Sequence, residues 1–268
     1  MAARATGAED NVTSPVPGTP GGDTVHDVTS AAPAPPTTFA PAELRGLDEP
    51  VQRYFRASIA LGTPLVTAVR LTMRGQIKVG RWVPFRATEV LAPRSGFLWR
   101  ATAAGIITGT DRYLAGDGAM RWRLAGIVPF MAAGGPDVSR SAAGRAGAEG
   151  LWVPTALLPR FGVEWQAESD TQIVGRFDLD GTPIELRYHV DHAGALTATS
   201  VRRWGDPNGG TDVDWHPFGG PVLATRTWSG STVPSEGSVG WRPGTDRWAD
   251  AEFFRYRITG LQPIAPRS

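Results

Sequence analysis

Apolar and polar side chains alternate with a period of two along most of the chain from residue 65 to residue 128. Val69, Leu71 and Met73, for example, are separated by polar residues. Successive side chains of a β-strand point to opposite faces of a sheet, so this pattern is typical of half-buried antiparallel strands. The pattern resumes at Val163 and continues toward the C-terminus, and in total it predicts about ten or eleven strands.

This number of strands restricts the fold. A sheet of that size twists and must curl or close, because large flat sheets are rare. We therefore expect a mainly β fold of the α+β class, either a curled antiparallel sheet or an incomplete β-barrel. Asp180-Gly181 stands between two alternating runs and predicts a tight hairpin. In the second run, alternation predicts two faces: Ile184, Leu186, Tyr188 and Val190 buried, and Glu185, Arg187 and His189 more exposed.

Two parts of the chain have helical patterns. Val51, Tyr54 and Phe55 recur on one helical face near the start of the predicted domain. At 136–161 small and polar residues replace the alternation, and we expect two short helices there, the second opening near Pro154. Three glycines weaken the first of these helices. A sheet that curls incompletely leaves an apolar side open, and this helical insertion is predicted to act as its lid.

Composition divides the chain into three parts. Residues 1–40 are rich in Pro, Ala and Thr, so they are predicted to be a disordered tail. Residues 41–262 are predicted to form a single β-rich domain that includes the helical insertion, and residues 263–268 a short C-terminal tail. No internal repeat is visible in the sequence, which argues against a propeller or solenoid.

Charge and composition argue against several classes of function. The formal net charge is +1, which gives no case for nucleic acid, since such binders carry a concentrated basic patch. The chain has no cysteine, so disulfides, thiol catalysis and cysteine-bound metals are excluded. Lys78 is the only lysine, whereas arginine is abundant. Because many arginine codons are GC-rich, we attribute this excess to a GC-rich bacterial genome.

The sequence carries no pattern typical of a signal peptide or a transmembrane helix. A signal peptide needs an unbroken apolar stretch of about 7 to 15 residues. A spanning helix needs about 18 or more. We expect a protein without a transmembrane segment, located by default in the cytoplasm. A start codon assigned too far downstream would hide a leader peptide and leaves export open.

Carboxylates and histidines occur in short groups without the spacing of a catalytic or metal site. Asp178 and Asp180 precede a glycine as in a calcium loop, but the later glutamate ligand is missing from the sequence. Asp212, Asp214 and His216 alternate along one predicted strand without the rest of a ligand shell. No serine stands in a G-x-S-x-G elbow. We expect no metal, no cofactor and no catalytic residue, and enzymatic activity stays an open question.

Tryptophan is the most informative residue type in the chain. There are ten in 268 residues, and several fall on inward faces of the predicted strands. Large aromatic side chains inside a curved sheet either fill it or line a cavity for an apolar ligand, and both interpretations stay open. The apolar candidates for ligand binding, from the strands and from the predicted lid, are Trp99, Trp122, Trp152, Leu157, Leu158 and Trp165.

Arg140 and Glu149 flank the first helix of the predicted insertion. A charged pair next to Trp152 is consistent with a pocket mouth. It is equally consistent with an ordinary surface ion pair, worth about 0–1 kcal/mol. Both residues are therefore kept as candidates for ligand binding.

The order of several motifs resembles a bacterial family of unknown function. PVQRYFR at 50–56, RWVPFRATEVLAP at 81–93 and GFLW at 96–99 are followed by EGLWVPTALLP at 149–159. The resemblance covers most of 47–262 and implies no activity. The strand count and the mid-chain helical lid also resemble the periplasmic lipoprotein-carrier fold. In that fold an antiparallel sheet curls into an incomplete barrel and helices plug its open side, so this resemblance concerns fold alone.

Three hypotheses about function follow. In the first, the protein binds a lipid or another hydrophobic small molecule in the concave face of the sheet, under the helical lid. In the second, an enzyme uses the same cavity, with Glu149 as acid or base and Arg140 as an anion clamp. In the third, the sheet is packed solid and serves as a scaffold for another protein. An open cavity above about 300 Å³ favours the first hypothesis.

Overall fold

Residues 38–210 and 212–265 are described by a computed structural model, and most of them lie in one antiparallel sheet. Thirteen strands are found among these residues, more than the number expected. The strands at 107–114 and 128–134 escaped prediction because their sequences, ITGTDRYL and VPFMAAG, do not alternate regularly. The strands are β1 Val69–Val79, β2 Arg81–Ala92, β3 Gly96–Ala103, β4 Ile107–Leu114, β5 Asp117–Leu124, β6 Val128–Gly134, β7 Glu164–Ser169, β8 Gln172–Leu179, β9 Thr182–Val190, β10 Leu196–Gly205, β11 Asp214–Trp228, β12 Ser231–Trp241 and β13 Glu252–Pro263.

The sheet does not close into a barrel. Its order is β6-β5-β4-β3-β2-β1-β13-β12-β11-β10-β9-β8-β7, so β6 and β7 are opposite edges although they are consecutive in the chain. The segment that joins them must therefore cross the open side of the sheet. This arrangement confirms the incomplete barrel with a mid-chain helical segment.

The crossing segment begins with an α-helix and continues in tighter turns. Helix α2, Pro136–Ala148, is followed by 3-10 turns at Glu149–Trp152, Pro154–Leu157 and Pro159–Phe161. The second expected helix is therefore a series of 3-10 turns. The reason is Pro159: a proline has no N–H to donate to the carbonyl four residues earlier, so an α-helix that opens at Pro154 could not continue through it.

Small residues let α2 lie close to the sheet. Its buried positions are Ala143, Gly144, Ala146 and Gly147. A Cβ atom on Gly147 would lie 2.5 Å from Cγ2 of Ile184 on β9, so only glycine fits there. The glycines that weaken the helix by propensity are therefore compensated by close packing against β9 and β10.

The first helix, α1 Glu49–Ser58, buries the apolar face expected from the sequence. Val51, Tyr54 and Phe55 are buried in the same core as the concave face of the sheet. Asp48 precedes the helix, but its carboxylate accepts a hydrogen bond from the backbone N–H of Ala167 at 2.7 Å, which ties α1 to β7. A short third helix, α3 Trp248–Ala251, precedes β13.

The β8–β9 hairpin confirms the register expected from alternation. Asp180 and Gly181 both have positive φ angles, 51° and 80°, as a two-residue hairpin turn of this kind requires. On β9 the residues predicted to face the core, Ile184, Leu186, Tyr188 and Val190, are all buried. The residues between them, Glu185, Arg187 and His189, are partly or fully exposed.

The ends of the described chain are attached to the sheet. Most of the predicted tail, residues 1–37, lies outside the described residues, but Phe39 is buried and its N–H donates to the Thr63 carbonyl at 2.7 Å. At the other end, the Ile264 N–H donates to the Ala68 carbonyl at 2.9 Å. Within the described ranges, no helix combines the length and apolarity needed to cross a membrane.

Candidate functional site

A cavity of about 570 Å³ lies between the concave face of the sheet and the crossing segment. Its walls come from β1, β3, β4, β5, β6 and β10–β13, and from the C-terminal end of α2 with the 3-10 turn that follows. Most of its surface is apolar and aromatic. The principal aromatic wall residues are Trp99, Trp122, Trp152, Trp241, Phe254 and Tyr256.

Strand alternation and register bring these rings together. Trp99 on β3 and Trp122 on β5 both face inward, and their ring centroids are 5.7 Å apart. A Cβ atom on Gly109, opposite Trp122 in register, would lie 2.1 Å from the indole, so glycine provides the space for this ring. On the other wall, the indole of Trp152 meets the ring of Tyr256 edge-on at 5.3 Å. The result is a rigid aromatic lining.

One end of the cavity is polar and is organised by Arg145 on α2. Its Nε donates to Glu149 Oε1 at 2.7 Å, and its Nη1 donates to Asp111 Oδ2 at 3.0 Å. Its Nη2 contacts Glu89 Oε1 at 3.5 Å, and its guanidinium lies over the Phe97 ring, 4.4 Å from the centroid. Burial alone would lower the pKa of Arg145, but Glu149, Glu89 and Asp111 raise it. Arg145 is therefore a permanent buried cation.

Glu89 is the fully buried carboxyl group of this cluster. Burial raises the pKa of its carboxyl well above the ordinary value of 4.5, and Glu149 and Asp111 raise it further against the opposing effect of Arg145. Glu89 Oε2 and Glu149 Oε2 are buried, and neither has a hydrogen-bond partner among the described residues. A proton held between the two carboxyl groups would give both atoms a hydrogen-bond partner.

Arg203 on β10 is the second cation of the polar end. Its Nε donates to the Ser141 carbonyl at 3.1 Å, and its guanidinium lies 4.4 Å from the centroid of the Phe218 ring. Burial, and then the nearby Arg145, lower the pKa of Arg203 to about 10, so it remains a cation at neutral pH. Within the described chain no carboxylate forms an ion pair with it, in contrast to Arg145. An anionic or acceptor group in the cavity would therefore be stabilised beside Arg203.

The raised pKa of Glu89 predicts how stability varies with pH. A carboxyl group whose pKa is higher in the folded than in the unfolded state favours folding below its unfolded pKa. That contribution is lost as pH rises through the folded pKa. We expect Glu89→Gln to remove this loss, because glutamine keeps an acceptor for Arg145 and a donor for Glu149. Urea unfolding across pH should give a flatter stability profile for Glu89→Gln than for the unsubstituted protein or for the exposed control Glu164→Gln. Identical profiles for all three proteins would contradict a protonated Glu89.

The structure brings together half of the residues selected from the sequence. Trp99, Trp122, Glu149 and Trp152 line the cavity. Trp165 instead packs, partly buried, against the core residues Tyr54, Phe55 and Tyr188, and its Nε1 donates to the Leu157 carbonyl at 2.8 Å. Leu157 and Leu158 are fully buried in that core.

Arg140 lies away from the polar end of the cavity. Its side chain is 42% exposed, and its guanidinium lies over the Trp204 ring and 3.7 Å from Asp137. The arginine that does meet Glu149 is Arg145, four residues earlier on the same helix. This spacing is itself a signal, because residues four apart are neighbours on a helical surface. Among the described residues, no group of three potential metal ligands is close enough to hold an ion.

The fold and the cavity define an open antiparallel β-sheet protein with an aromatic internal cavity. The chain belongs to a family of unknown function, DUF6544, whose model matches residues 37–253, as its motifs indicated. No curated protein matched the chain.

Two solved structures resemble it. One is a domain described as an outer membrane lipoprotein-sorting protein from Vibrio parahaemolyticus, with 7% identity and a TM-score of 0.41 over 75% of this chain and 87% of that one. The other is a LolA superfamily protein from Nitrosomonas europaea, with 7% identity and a TM-score of 0.42 over 81% of this chain and 92% of that one.

Proposed function

We propose that the protein binds a lipid or another hydrophobic small molecule in the cavity. The observation that supports this proposal is the combination of size and lining. The cavity measures about 570 Å³ and is walled mainly by aromatic and aliphatic side chains. Small-molecule sites commonly have volumes of about 300–1,000 Å³ and an apolar lining with a few polar groups. The scaffold hypothesis required a filled sheet, and the open cavity argues against it.

The polar end indicates what kind of molecule fits best. Arg145 is neutralised by its carboxylate partners, whereas Arg203 contributes a positive charge to the wall without such a partner among the described residues. A ligand with an apolar body and an anionic head would place the body against Trp99 and Trp122 and the head beside Arg203. Burial of the apolar body would supply most of the affinity.

Titration with the fluorescent fatty acid cis-parinaric acid tests this proposal. Ala148 lines the cavity at the end of α2 and is partly exposed, so Ala148→Phe should occupy part of the space. We expect Ala148→Phe to weaken binding at least about tenfold, equivalent to about 1.4 kcal/mol. Native mass spectrometry of the purified protein should also detect a bound small molecule, and Ala148→Phe should reduce its amount.

Two further variants make the result specific. Ala193→Phe, in an exposed turn, is the control and should bind as the unsubstituted protein does. Arg203→Gln should weaken binding of the acid more than binding of the corresponding alcohol, since only the acid carries the negative head. Equal affinity of Ala148→Phe and the unsubstituted protein would mean that the probe does not enter the cavity.

One observation supports a second candidate, an enzyme that uses the same cavity. Glu149 lines the cavity, and it raises the pKa of the neighbouring Glu89, which burial already holds well above its ordinary value. Paired carboxyl groups of which one keeps its proton are typical of acid–base sites. In this alternative Arg145 takes the place assigned to Arg140 in the sequence-based hypothesis. Chemical conversion of a bound molecule that is lost in Glu149→Gln would favour the enzyme over the binding protein.

A further inference from the structure

Aliphatic side chains are exposed at one end of the sheet, where three turns of the β1–β6 half lie side by side. The turns β1–β2, β3–β4 and β5–β6 all lie at this end because the strands alternate in direction. Ile106 is 57% exposed, Ile127 76% and Val128 53%. Large aliphatic groups exposed together on adjacent turns indicate a surface that meets an apolar partner.

This apolar rim, defined as Ile106, Leu124, Ile127 and Val128, adjoins the wall of the cavity. The Ala125 N–H donates to the Ile106 carbonyl at 2.8 Å, which fixes the two turns side by side. Ile107, which follows Ile106, lines the cavity and is opposite Leu124 in register. A molecule that leaves the cavity on this side would pass directly across the rim.

The outer face of the same strands is strongly basic. The register aligns arginines and threonines from β1 to β5 along a shallow groove of about 960 Å³, and its lining contains no carboxylate among the described residues. Arg74 and Arg86 are directly opposite each other on neighbouring strands, a placement that costs stability. The arginines of this outer groove are Arg74, Arg86, Arg100, Arg112, Arg121 and Arg123. Arg112 pairs with Asp117, and Arg123 directly precedes the rim residue Leu124.

We propose that the rim and the outer groove dock this half of the sheet onto a membrane that contains anionic lipids. The aliphatic turns enter the headgroup region, and the arginines beside them face lipid phosphates. Insertion of apolar side chains combined with a basic surface is the usual way in which a peripheral protein meets an anionic bilayer. A nucleic acid would also be attracted to the arginines, but the rim offers aliphatic side chains rather than the aromatic rings on which bases stack.

The opposite half of the sheet offers no such surface at this end among the described residues. Its loops there mix Asp206 and Asp246 with Arg242 and Arg247, and they expose none of the large aliphatic side chains found on the rim. The protein would therefore approach a bilayer with the β1–β6 half leading. In this orientation the cavity wall at Ile107 lies next to the lipid, so a hydrophobic molecule that leaves the cavity on this side would avoid water.

Flotation with lipid vesicles tests the docking proposal. The full chain should float with vesicles of phosphatidylcholine and phosphatidylglycerol, and much less with phosphatidylcholine alone. High salt should reduce the binding, because exposed charges are screened. Ile106→Asp combined with Ile127→Asp should abolish binding, whereas Leu61→Asp, an exposed leucine near the other end of the sheet, should leave it unchanged.

Charge reversal tests the outer groove separately. Arg121→Glu combined with Arg123→Glu should weaken vesicle binding by at least about fivefold per arginine, since one basic residue near an anionic surface contributes about 1 kcal/mol. Arg56→Glu combined with Arg226→Glu is the control pair, exposed and near the other end. Equal binding by the rim variant and the unsubstituted protein would overturn the proposal, as would binding to DNA in place of vesicles. Each variant must first show an unchanged thermal transition, so that loss of binding is not loss of fold.

Discussion

Replacement of Arg145 by methionine is expected to lower the free energy of unfolding by about 3–5 kcal/mol. The guanidinium is the shared partner of Glu149, Asp111 and Glu89; Glu89 is fully buried, and the other two carboxylates are only 14% and 16% exposed. Methionine fills a similar volume but leaves carboxylates in a low-dielectric site without their cation. Removal of one partner from a buried ion pair is far more costly than removal of the whole pair, because the remaining charge is left desolvated.

The matched control for this substitution is Arg140→Met on the same helix. Arg140 is exposed and 3.7 Å from Asp137, so we expect a loss below about 1 kcal/mol. Guanidinium unfolding monitored by tryptophan fluorescence measures both variants. Glu149→Gln alone should lower the free energy of unfolding, because it removes a partner of Arg145. Added to Arg145→Met, the same substitution should restore part of the lost stability, since the effects of contacting residues are not additive. Equal losses for Arg145→Met and Arg140→Met would show that the buried cluster does not stabilise the fold.

Much of the fold follows from local sequence rules. Alternation identified most strands and the buried face of β9, and turn chemistry identified the Asp180-Gly181 hairpin. The order of the strands in the sheet could not be deduced from the sequence. Strand pairing depends on contacts between residues that are far apart in the chain. The position of β6 and β7 at opposite edges, which requires the crossing segment, is such a property.

The candidate site was predictable in part, for a related reason. Alternation shows which face a side chain lies on, but not whether that part of a curved face is filled or open. Trp99 and Trp165 both point inward, yet only Trp99 borders the cavity, while α1 fills the space beside Trp165.

Two charged residues of the Arg145 cluster carried a signal in the sequence. The alternation through Phe85 and Ala87 continues to Glu89, which places a carboxyl group on an inward face. Arg145 stands four residues before Glu149. Charged residues at inward positions are rare unless they are paired, so such positions are informative.

The arginine surplus illustrates what register adds to composition. The codon bias expected from the sequence would account for arginine in place of lysine, but not for the arginines from β1 to β5 that share one face with threonines. Each strand contributes only one or two of these arginines. The near-neutral net charge of the whole chain therefore gives no sign that they lie together. Only the pairing of neighbouring strands concentrates them in the outer groove beside the apolar rim.

Leu157→Ala is expected to lower the free energy of unfolding by about 2–5 kcal/mol. The sequence made Leu157 a ligand-binding candidate on the predicted lid and left open whether it borders a cavity or is packed solid. The structure buries Leu157 completely, with Gly150 so close that a Cβ atom there would lie 3.0 Å from Leu157 Cδ2. Truncation of a side chain surrounded on all sides leaves a hole that rigid neighbours cannot close, so the loss includes both the transfer free energy and the cavity. Because this site is separate from the cavity wall, binding of cis-parinaric acid by the folded variant should be unchanged.

The comparison that makes this result decisive is Leu223→Ala. Leu223 is 69% exposed on β11, so its truncation removes the same atoms from a surface position and should cost less than about 0.5 kcal/mol. Chemical denaturation of both variants gives the difference directly. A cost for Leu157→Ala as small as that for Leu223→Ala, together with altered affinity for the probe, would mean that Leu157 borders open ligand space. The segment 154–159 would then be a movable lid, and the cavity would extend beyond its present wall toward Trp165.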